Sequence, residues 1–209
     1  MSKIYRLIIF LPFFILGCAP KVIDENKIVQ KIESLDMIIF SNRGDKIYSI
    51  TSPNSSYDNI ELKFKLKKPT INIFNGEKIK YIISSEESTL SDNNKLLKLN
   101  GNVRFKTFKK EEDFLSADNF IWDITKTNYL LKGNIKFENS KIIMNSEKAI
   151  LGSDNIIEFF NPVKYAIKDK NNNNNNKFEI NSENAFYNLN NESVSFKSKE
   201  KRVKSIIYF

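Results

Sequence analysis

Residue types that could perform chemistry are scarce in this sequence. Its 209 residues contain no His and a single Cys, Cys18, which excludes a Ser-His-Asp triad, a Cys-His dyad and a His-based or Cys-rich metal site. Ser198 and Lys201 match a Ser-x-x-Lys pattern, but on a polar terminal stretch without a companion motif. Adjacent carboxylates at Glu86 and Glu87 would point to opposite faces of a strand and could not flank one bond. We therefore predict a non-enzyme without cofactor or metal.

The charge balance does not indicate a nucleic-acid partner. The chain has 33 Lys and Arg against 25 Asp and Glu, a formal net charge of +8. These basic residues are mostly Lys, spread along the chain in alternation with apolar residues, whereas nucleic-acid proteins favour Arg for bidentate contacts. Six Gly without a G-x-G-x-x-G or phosphate-loop pattern also argue against nucleotide binding. We interpret the basic residues as a solvated face and expect no nucleic acid among the partners.

Cys18 has a different potential chemistry, because it follows an export-type segment. Lys3 and Arg6 precede a short apolar stretch from Leu7 to Leu16, too short for the roughly 20 residues that span a bilayer. The sequence Ile-Leu-Gly-Cys at 15–18 is similar to a bacterial lipobox. We predict a lipoprotein signal peptide at 1–17, lipidation of Cys18 as the mature N-terminus and a tether over 18–36. The alternative is a plain signal peptide with a chance Cys. Several acyl chains on Cys18 would anchor the body stably to a membrane.

The rest of the chain alternates between apolar and polar residues with the period of a β-strand. The stretches 60–67, 97–105 and 129–137 are the clearest examples. In the first, Ile60, Leu62, Phe64 and Leu66 share one face and the intervening charged residues share the other. Strands with one buried face and one solvent-exposed face are typical of antiparallel sheets. The pattern predicts an all-β fold.

Two half-motifs repeat along these strands. A Ser followed by an acidic or small residue recurs at Ser85, Ser116, Ser146 and Ser182, with spacings of 31, 30 and 36 residues. The longest interval contains the Asn run 171–176, which we interpret as an expanded surface loop. The other half-motif is Leu-x-Gly-x-Val at 99–103, with variants at 131–135 and 159–163. Repeats of about 30 residues predict stacked β units, and Gly101 and Gly133 mark either close contact with an opposite sheet or a bend.

At this point the sequence resembles a known family. Phe40-Ser41-x-x-Gly44-x-x-Ile47-Tyr48, followed by Ser52-Pro53, Tyr57 and Lys68-Pro69, is similar to the opening of the LptC family, the periplasmic bridge components of the lipopolysaccharide exporter. Its Ser-Glu-x-Ala and Leu-Asn-Gly-Asn-Val repeats resemble the wider superfamily that includes LptA and the periplasmic part of LptD. The resemblance covers about residues 37–196. One departure is the predicted lipid on Cys18, since many members hold an N-terminal transmembrane helix.

The resemblance implies an open, twisted β-jellyroll of two facing antiparallel sheets over residues 37–198, with a C-terminal tail at 199–209. It implies a periplasmic protein that is anchored to the inner membrane and carries glycolipid acyl chains between its sheets. The expected partners are lipopolysaccharide or a related glycolipid, the inner-membrane ABC transporter at the N-terminal edge (37–50) and an LptA-like bridge protein at the C-terminal edge (193–197). The segment 203–209 is either an added strand or a disordered end.

We assign the predicted lipid-binding groove to inward residues of the clearest strands, and we expect Lys98, Lys132 and Lys136 to point outward. The same inward residues would form a closed core in any two-sheet protein. The alternative function is therefore a non-catalytic, β-solenoid-like surface lipoprotein that acts as a scaffold or adhesin. The twelve groove residues are Phe64, Leu66, Ile73, Tyr81, Leu99, Val103, Phe105, Phe120, Trp122, Leu131, Ile135 and Phe137.

Overall fold

All regular elements in the described part of the chain are β-strands. The computed structural model describes residues 29–107, 110–126, 128–168, 176–199 and 202–207, so the predicted signal peptide and Cys18 lie outside the described residues, as does most of the Asn run. Antiparallel pairs connect all fourteen described strands. The strands are β1 Val29–Phe40, β2 Lys46–Asp58, β3 Lys63–Lys67, β4 Thr70–Asn75, β5 Lys78–Ser84, β6 Glu87–Ser91, β7 Leu96–Thr107, β8 Lys110–Asp123, β9 Tyr129–Glu138, β10 Ile142–Leu151, β11 Ile156–Lys168, β12 Asn176–Asn188, β13 Val194–Lys197 and β14 Lys204–Ile207.

The long strands bend near their middle, and their two halves belong to different sheets. The first half of β2 pairs with β4, whereas its second half pairs with β3. In the same way, β7 pairs with β6 through its first half and with β5 through its second. Register shifts occur at the corresponding place in β7, β8, β9, β10 and β11. We call the sheet with β4, β5 and β14 sheet A, and the sheet with β3, β6 and β13 sheet B.

The two sheets face each other across a core of side chains. Ring pairs join them at Phe105–Phe120, with centroids 6.4 Å apart, and at Phe137–Tyr187, with centroids 4.5 Å apart. Among the described strands, β1 pairs only with β2, while β13 and β14 pair only with β12. Both ends of the structure therefore remain open edges. The predicted all-β fold with two facing antiparallel sheets is confirmed.

The line of bends joining the two sheets, which we call the spine, explains the repeated Ser. Ser85, Ser146 and Ser182 each donate a hydroxyl hydrogen bond to the carbonyl oxygen two residues further along, at 2.8, 3.1 and 3.0 Å. The Ser116 hydroxyl instead reaches the carbonyl of Lys136 on the next strand, at 3.5 Å. A bend takes backbone groups out of the regular ladder, and a short hydroxyl side chain can satisfy a freed carbonyl locally.

The repeated Gly occupies the bend of the intervening strands. Gly101 and Gly133 have φ values of +74° and +75°, and the Asn after each is also left-handed. A Cβ on Gly133 would lie 2.5 Å from Oδ2 of Asp118, and one on Gly101 would lie 2.6 Å from Oε2 of Glu86. Of the two sequence-based alternatives, the bend is correct. The close neighbours are carboxylates on the adjacent strand at the spine rather than side chains of the opposite sheet.

The N-terminal boundary differs from the prediction. β1 begins at Val29, so residues 29–36 of the predicted tether form a strand and the predicted domain start at Met37 lies inside β1. Leu35, Met37 and Ile39 of this strand pack against the core. The first part of β1 is mostly polar and lacks strict alternation, and pairing along nearly the whole length of β2 holds it in place. The N-terminal edge is thus β1 alone, because β2 is paired on both sides.

The stretch 60–67 is shorter as a strand than its alternation predicts. β3 begins at Lys63, and Ile60 and Leu62 lie in the preceding turn, 56% and 52% exposed. The Asp58 carboxylate accepts hydrogen bonds from the backbone N–H groups of Ile60 and Glu61, at 3.1 and 3.0 Å. This Asx-type arrangement turns the chain before the alternation can act, so the prediction for these two residues was wrong.

The C-terminal segment forms an added strand. β14 pairs with residues 178–181 of β12, and β13 pairs with residues 184–187 of the same strand. The two short strands therefore lie in series along one edge. Between them, Ser198 Oγ accepts a hydrogen bond from the backbone N–H of Glu183, at 3.2 Å.

Candidate functional site

The space between the sheets is lined by rows of inward side chains that cross the whole molecule. In each row the residues are direct partners on neighbouring strands, so the row follows from strand register alone. The row of sheet A runs Met37, Ile50, Ile71, Ile83, Phe105, Leu115, Phe137, Met144, Tyr165, Ile180. The row of sheet B runs Ile32, Ser55, Leu66, Ser88, Leu99, Phe120, Leu131, Ala149, Phe159, Ala185, Phe196.

The structure brings the twelve predicted groove residues together in this interior. Eleven are buried, with at most 4% of each residue exposed, and Phe64 is partly buried against the same core. Lys98, Lys132 and Lys136 are exposed on the outer faces, as the alternation predicts. The interior of the described structure is filled by these side chains themselves.

Aromatic rings concentrate in one part of the interior. Trp122 lies 5.4 Å, centroid to centroid, from both Tyr48 and Tyr129. Tyr81 contacts Tyr129 at 5.8 Å and Phe105 at 4.7 Å. Large flat side chains with two rotatable bonds can move as units, and their faces present apolar area at low entropic cost.

Sequence reasoning missed several interior residues. Tyr48, Leu97, Tyr129 and Tyr187 are buried or partly buried in the same core but were not among the twelve. Leu97 was visible in the alternation of its own strand. Tyr129 was likewise visible in the alternation of 129–137, whereas Tyr48 and Tyr187 required alignment of strands through the bends, because each contacts a residue of the opposite sheet.

Opposite the spine, the hairpin turns of sheet A face those of sheet B, and we call this side the mouth. Three described tyrosine hydroxyls form hydrogen bonds across it, two as donors and one as an acceptor. Tyr48 donates to the carbonyl of Asn94 at 2.9 Å, and Tyr81 donates to Oδ1 of Asn155 at 3.0 Å. The third bond joins Tyr187 and the amide of Asn139, where the amide nitrogen donates to the hydroxyl oxygen at 3.1 Å. Tyr187 also serves as an acceptor there, with its own proton available to neighbours.

Further contacts accompany the hydrogen bond of Tyr187. Beside Tyr187 a salt bridge links Lys141 of sheet A to Glu192 of sheet B, with 2.9 Å between the charged atoms. In addition, Lys168 donates to the carbonyl of Asn139 at 2.7 Å. At Tyr81, the hydrogen bond to Asn155 and the ring contact with Tyr129 connect the two sheets across the mouth.

Burial keeps these tyrosines protonated. It raises the pKa of Tyr129 to about 12 and raises the pKa of Tyr48, Tyr81 and Tyr187 well above the usual value for a phenol. For Tyr187, the nearby carboxylates of Asp113 and Glu192 raise the pKa further. All four remain neutral hydroxyls throughout the physiological pH range.

A cleft of about 730 Å³ opens at the mouth beside Tyr81. Its walls come from the β4–β5 and β7–β8 hairpins of sheet A, and from the start of β9 and the turns after β10 and β12 of sheet B. The lining includes Phe74, Ile79, Tyr81, Tyr129 and Leu189 as apolar or aromatic side chains, with Lys78, Lys80, Asp113 and Asn155 among the polar ones. This volume lies within the usual range of small-molecule sites.

The described site is made chiefly of apolar and aromatic side chains. The described residues contain no cluster of acidic or Cys side chains placed to hold a metal. Within the same residues, no helix is long and apolar enough to cross a membrane. What remains is an apolar interior, aromatic toward the mouth and open at both edges of the strand order.

These features define a class, the open β-jellyroll whose apolar interior runs from one edge strand to the other. A family model described as lipopolysaccharide-assembly, LptC-related, matches residues 8–130, and the chain belongs to this family. Membership implies a part in lipopolysaccharide transport, in a non-catalytic family that is periplasmic and associated with the inner membrane. No curated protein matches the sequence significantly. The strands after Leu130 continue the same sheets beyond the matched region.

Proposed function

We propose that this protein carries the acyl chains of lipopolysaccharide, or of a related glycolipid, between its two sheets. The observation that supports this best is the continuity of the two interior rows, which pass from β1 to β12 and β13 without a charged residue. Burial of lipid methylenes against such rows is favourable by about 0.8 kcal/mol each. Because the described core is filled, loading requires the sheets to separate.

The two open edges are the proposed docking sites. β1 would receive the inner-membrane ABC transporter, and the β13–β14 edge would add a strand of an LptA-like bridge protein, since unpaired strand edges recruit partners through backbone hydrogen bonds. Truncation after Lys201 removes β14 and leaves β13, so we expect weaker capture of the bridge protein. A truncated protein that binds the bridge protein as well as the full chain would assign docking to β13 alone.

The proposed attachment is a lipid on Cys18 after removal of residues 1–17, which would anchor the protein to a membrane, and the family association favours the inner membrane. We expect Cys18→Ala to abolish palmitate labelling and to release the protein from the membrane fraction. Membrane association that survives this substitution, together with retained labelling, would contradict the proposed anchor.

Site-specific photocrosslinking in cells tests the carrier function. A photoreactive amino acid at Trp122 should capture lipopolysaccharide during ATP-driven transport, and the matched outward position Lys98 should not. Capture only from Lys98, Lys132 or Lys136 would overturn the model of an interior groove.

A scaffold or adhesin function is the second candidate, and the closed core favours it. Eleven of the twelve groove residues are buried against one another in a single core. Mass spectrometry of the purified protein separates the two functions. Copurified glycolipid supports the transport function, whereas a protein that contains no bound glycolipid under transport conditions supports the scaffold function.

A further inference from the structure

We propose that the cleft beside Tyr81 is the port through which a glycolipid acyl chain reaches the interior, and that the hydrogen bond between Tyr81 and Asn155 is the latch that closes it. This proposal rests on the proposed carrier function and specifies its route of loading. It places the route at the mouth, between the β4–β5 hairpin and the β10–β11 turn, rather than along the open edges.

The cleft and the interior are separated by few side chains. Tyr81 and Tyr129 line the cleft and also belong to the aromatic cluster inside. Behind Tyr81 lies Phe105, with centroids 4.7 Å apart, and behind Tyr129 lies Trp122 at 5.4 Å. Tyr81 is only 2% exposed. Rotation of the Tyr81 ring away from Asn155 would therefore connect the cleft with the interior rows without breaking a strand pair.

Asn155, which accepts the hydrogen bond from Tyr81, is held in place by contacts on the sheet B side. Asn155 has a left-handed backbone with φ of +63°, and its side-chain nitrogen donates to Oδ1 of Asn190 at 3.3 Å. Its carbonyl accepts the backbone N–H of Leu189 at 2.9 Å. The latch thus joins a fixed acceptor to a ring that can rotate, and its opening moves sheet A side chains rather than the turn.

The lining chemistry fits the end of an anionic amphiphile. Phe74, Ile79 and Leu189 offer apolar contact for an acyl chain. Lys78 and Lys80 stand on the strand that carries Tyr81, and the Lys80 ammonium lies 4.8 Å from the centroid of the Tyr81 ring. The carboxylate among the described lining side chains belongs to Asp113, which is buried. A phosphate on the glycolipid would meet the lysines while its acyl chain enters beneath them.

Photocrosslinking of the full chain in cells tests the port. With a photoreactive amino acid at Ile79, we expect capture of lipopolysaccharide that increases about five-fold in Tyr81→Phe, the factor expected for loss of one typical buried hydrogen bond. Asn155→Ala should give a similar increase, and the double variant should give no more than either single one, because both remove the same bond. The matched control is Tyr57→Phe, whose ring contacts Phe64 and does not line the cleft.

A second measurement tests whether Lys78, which lines the cleft, contributes to glycolipid binding. Lys78→Ala should reduce capture at Ile79 several-fold while Lys98→Ala, on an outer face, leaves it unchanged. Thermal unfolding of each variant shows whether the fold is retained, and an increase in capture by a stably folded Tyr81→Phe protein supports the latch.

Two outcomes overturn the proposal in distinguishable ways. If Trp122 captures glycolipid while Ile79 does not, or if Tyr81→Phe leaves capture at Ile79 unchanged, the port is wrong and the carrier function stands. If neither position captures glycolipid in the unmodified protein, the carrier function fails and the port fails with it.

Discussion

The spine and the mouth join the same two sheets by different means. At the spine the backbone itself passes from one sheet to the other, and five of the bends carry a local Ser hydrogen bond or a left-handed Gly. At the mouth the two sheets are linked by side-chain contacts, including tyrosine hydrogen bonds. A structure built this way can open on one side while it stays joined on the other. For the proposed loading, the spine would serve as the hinge and the mouth as the side that separates.

Alkaline pH should produce the largest difference in response between the mouth and the spine. The raised pKa values of the buried tyrosines mean that the folded state holds their protons more tightly than the unfolded state does. Their contribution is therefore fully present below pH 10, the usual phenol pKa, and is lost as pH rises above it. Each such tyrosine should remove about 1.4 kcal/mol of stability per pH unit in that range.

The single Trp of the sequence reports on this transition. Trp122 contacts Tyr48 and Tyr129, so its fluorescence follows the mouth, while far-ultraviolet circular dichroism follows the strands. We expect the fluorescence change at a lower pH than the loss of strand signal. Coincident transitions would mean that the mouth does not open separately from the fold.

Gly133→Ala should produce the largest effect of a single substitution at the spine. The left-handed backbone costs about 1–2 kcal/mol for Ala, and crowding by the Asp118 carboxylate adds to it, because the new Cβ would lie 2.5 Å from Oδ2. Gly76→Ala is the matched control, since its φ is +61° but nothing lies within 4 Å of the added Cβ. Denaturant unfolding should show a greater loss of unfolding free energy for Gly133→Ala than for Gly76→Ala. Equal losses would show that crowding by Asp118 does not contribute.

Tyr187→Phe should weaken the mouth without disturbing the spine. It deletes the hydroxyl that pairs with the buried Asn139 amide, which should lower the free energy of unfolding by about 1–2 kcal/mol. Tyr57→Phe should change stability by no more than about 0.5 kcal/mol. If the two variants unfold alike, the crossing hydrogen bond contributes nothing measurable to closure.

Ser146→Ala should show the smallest effect, about 1 kcal/mol of stability, through loss of the local hydrogen bond at one bend. Ser88→Ala is its control, because Ser88 is buried in the interior row with a hydroxyl that has no hydrogen-bond partner among the described residues. Removing an unpaired buried hydroxyl should be neutral or slightly stabilising. A greater loss at Ser88 than at Ser146 would contradict the role assigned to the repeated Ser.

Much of the fold could be predicted because alternation and repetition are local signals. Leu99, Val103 and Phe105 share a face whenever their strand forms, and their burial follows once any second sheet covers that face. Alternation gave the wrong strand boundaries where another interaction set the backbone path. The Asp58 carboxylate turned the chain at Ile60 and Leu62, and long pairing with β2 extended β1 into a segment with little alternation of its own.

The candidate site was predictable in composition but not in arrangement. Trp122 and its flanking Phe120 were visible as inward residues, yet Tyr48, which Trp122 contacts across the two sheets, comes from a distant part of the sequence. Contacts between the sheets depend on how each strand bends and on how the sheets are offset. Neither quantity is encoded in the period of a single strand.

By itself, the sequence determined the strand class, the inward and outward faces, the repeated bend residues and the resemblance to the family. These depend on residue type and short-range spacing. Only the tertiary structure decided that the repeated Ser and Gly lie at the bends that join the two sheets, and that Tyr81 meets Asn155 across the opposite side, at 3.0 Å. Residues 74 positions apart in sequence become partners because the bends fold one sheet over the other, and that distance cannot be read along the chain.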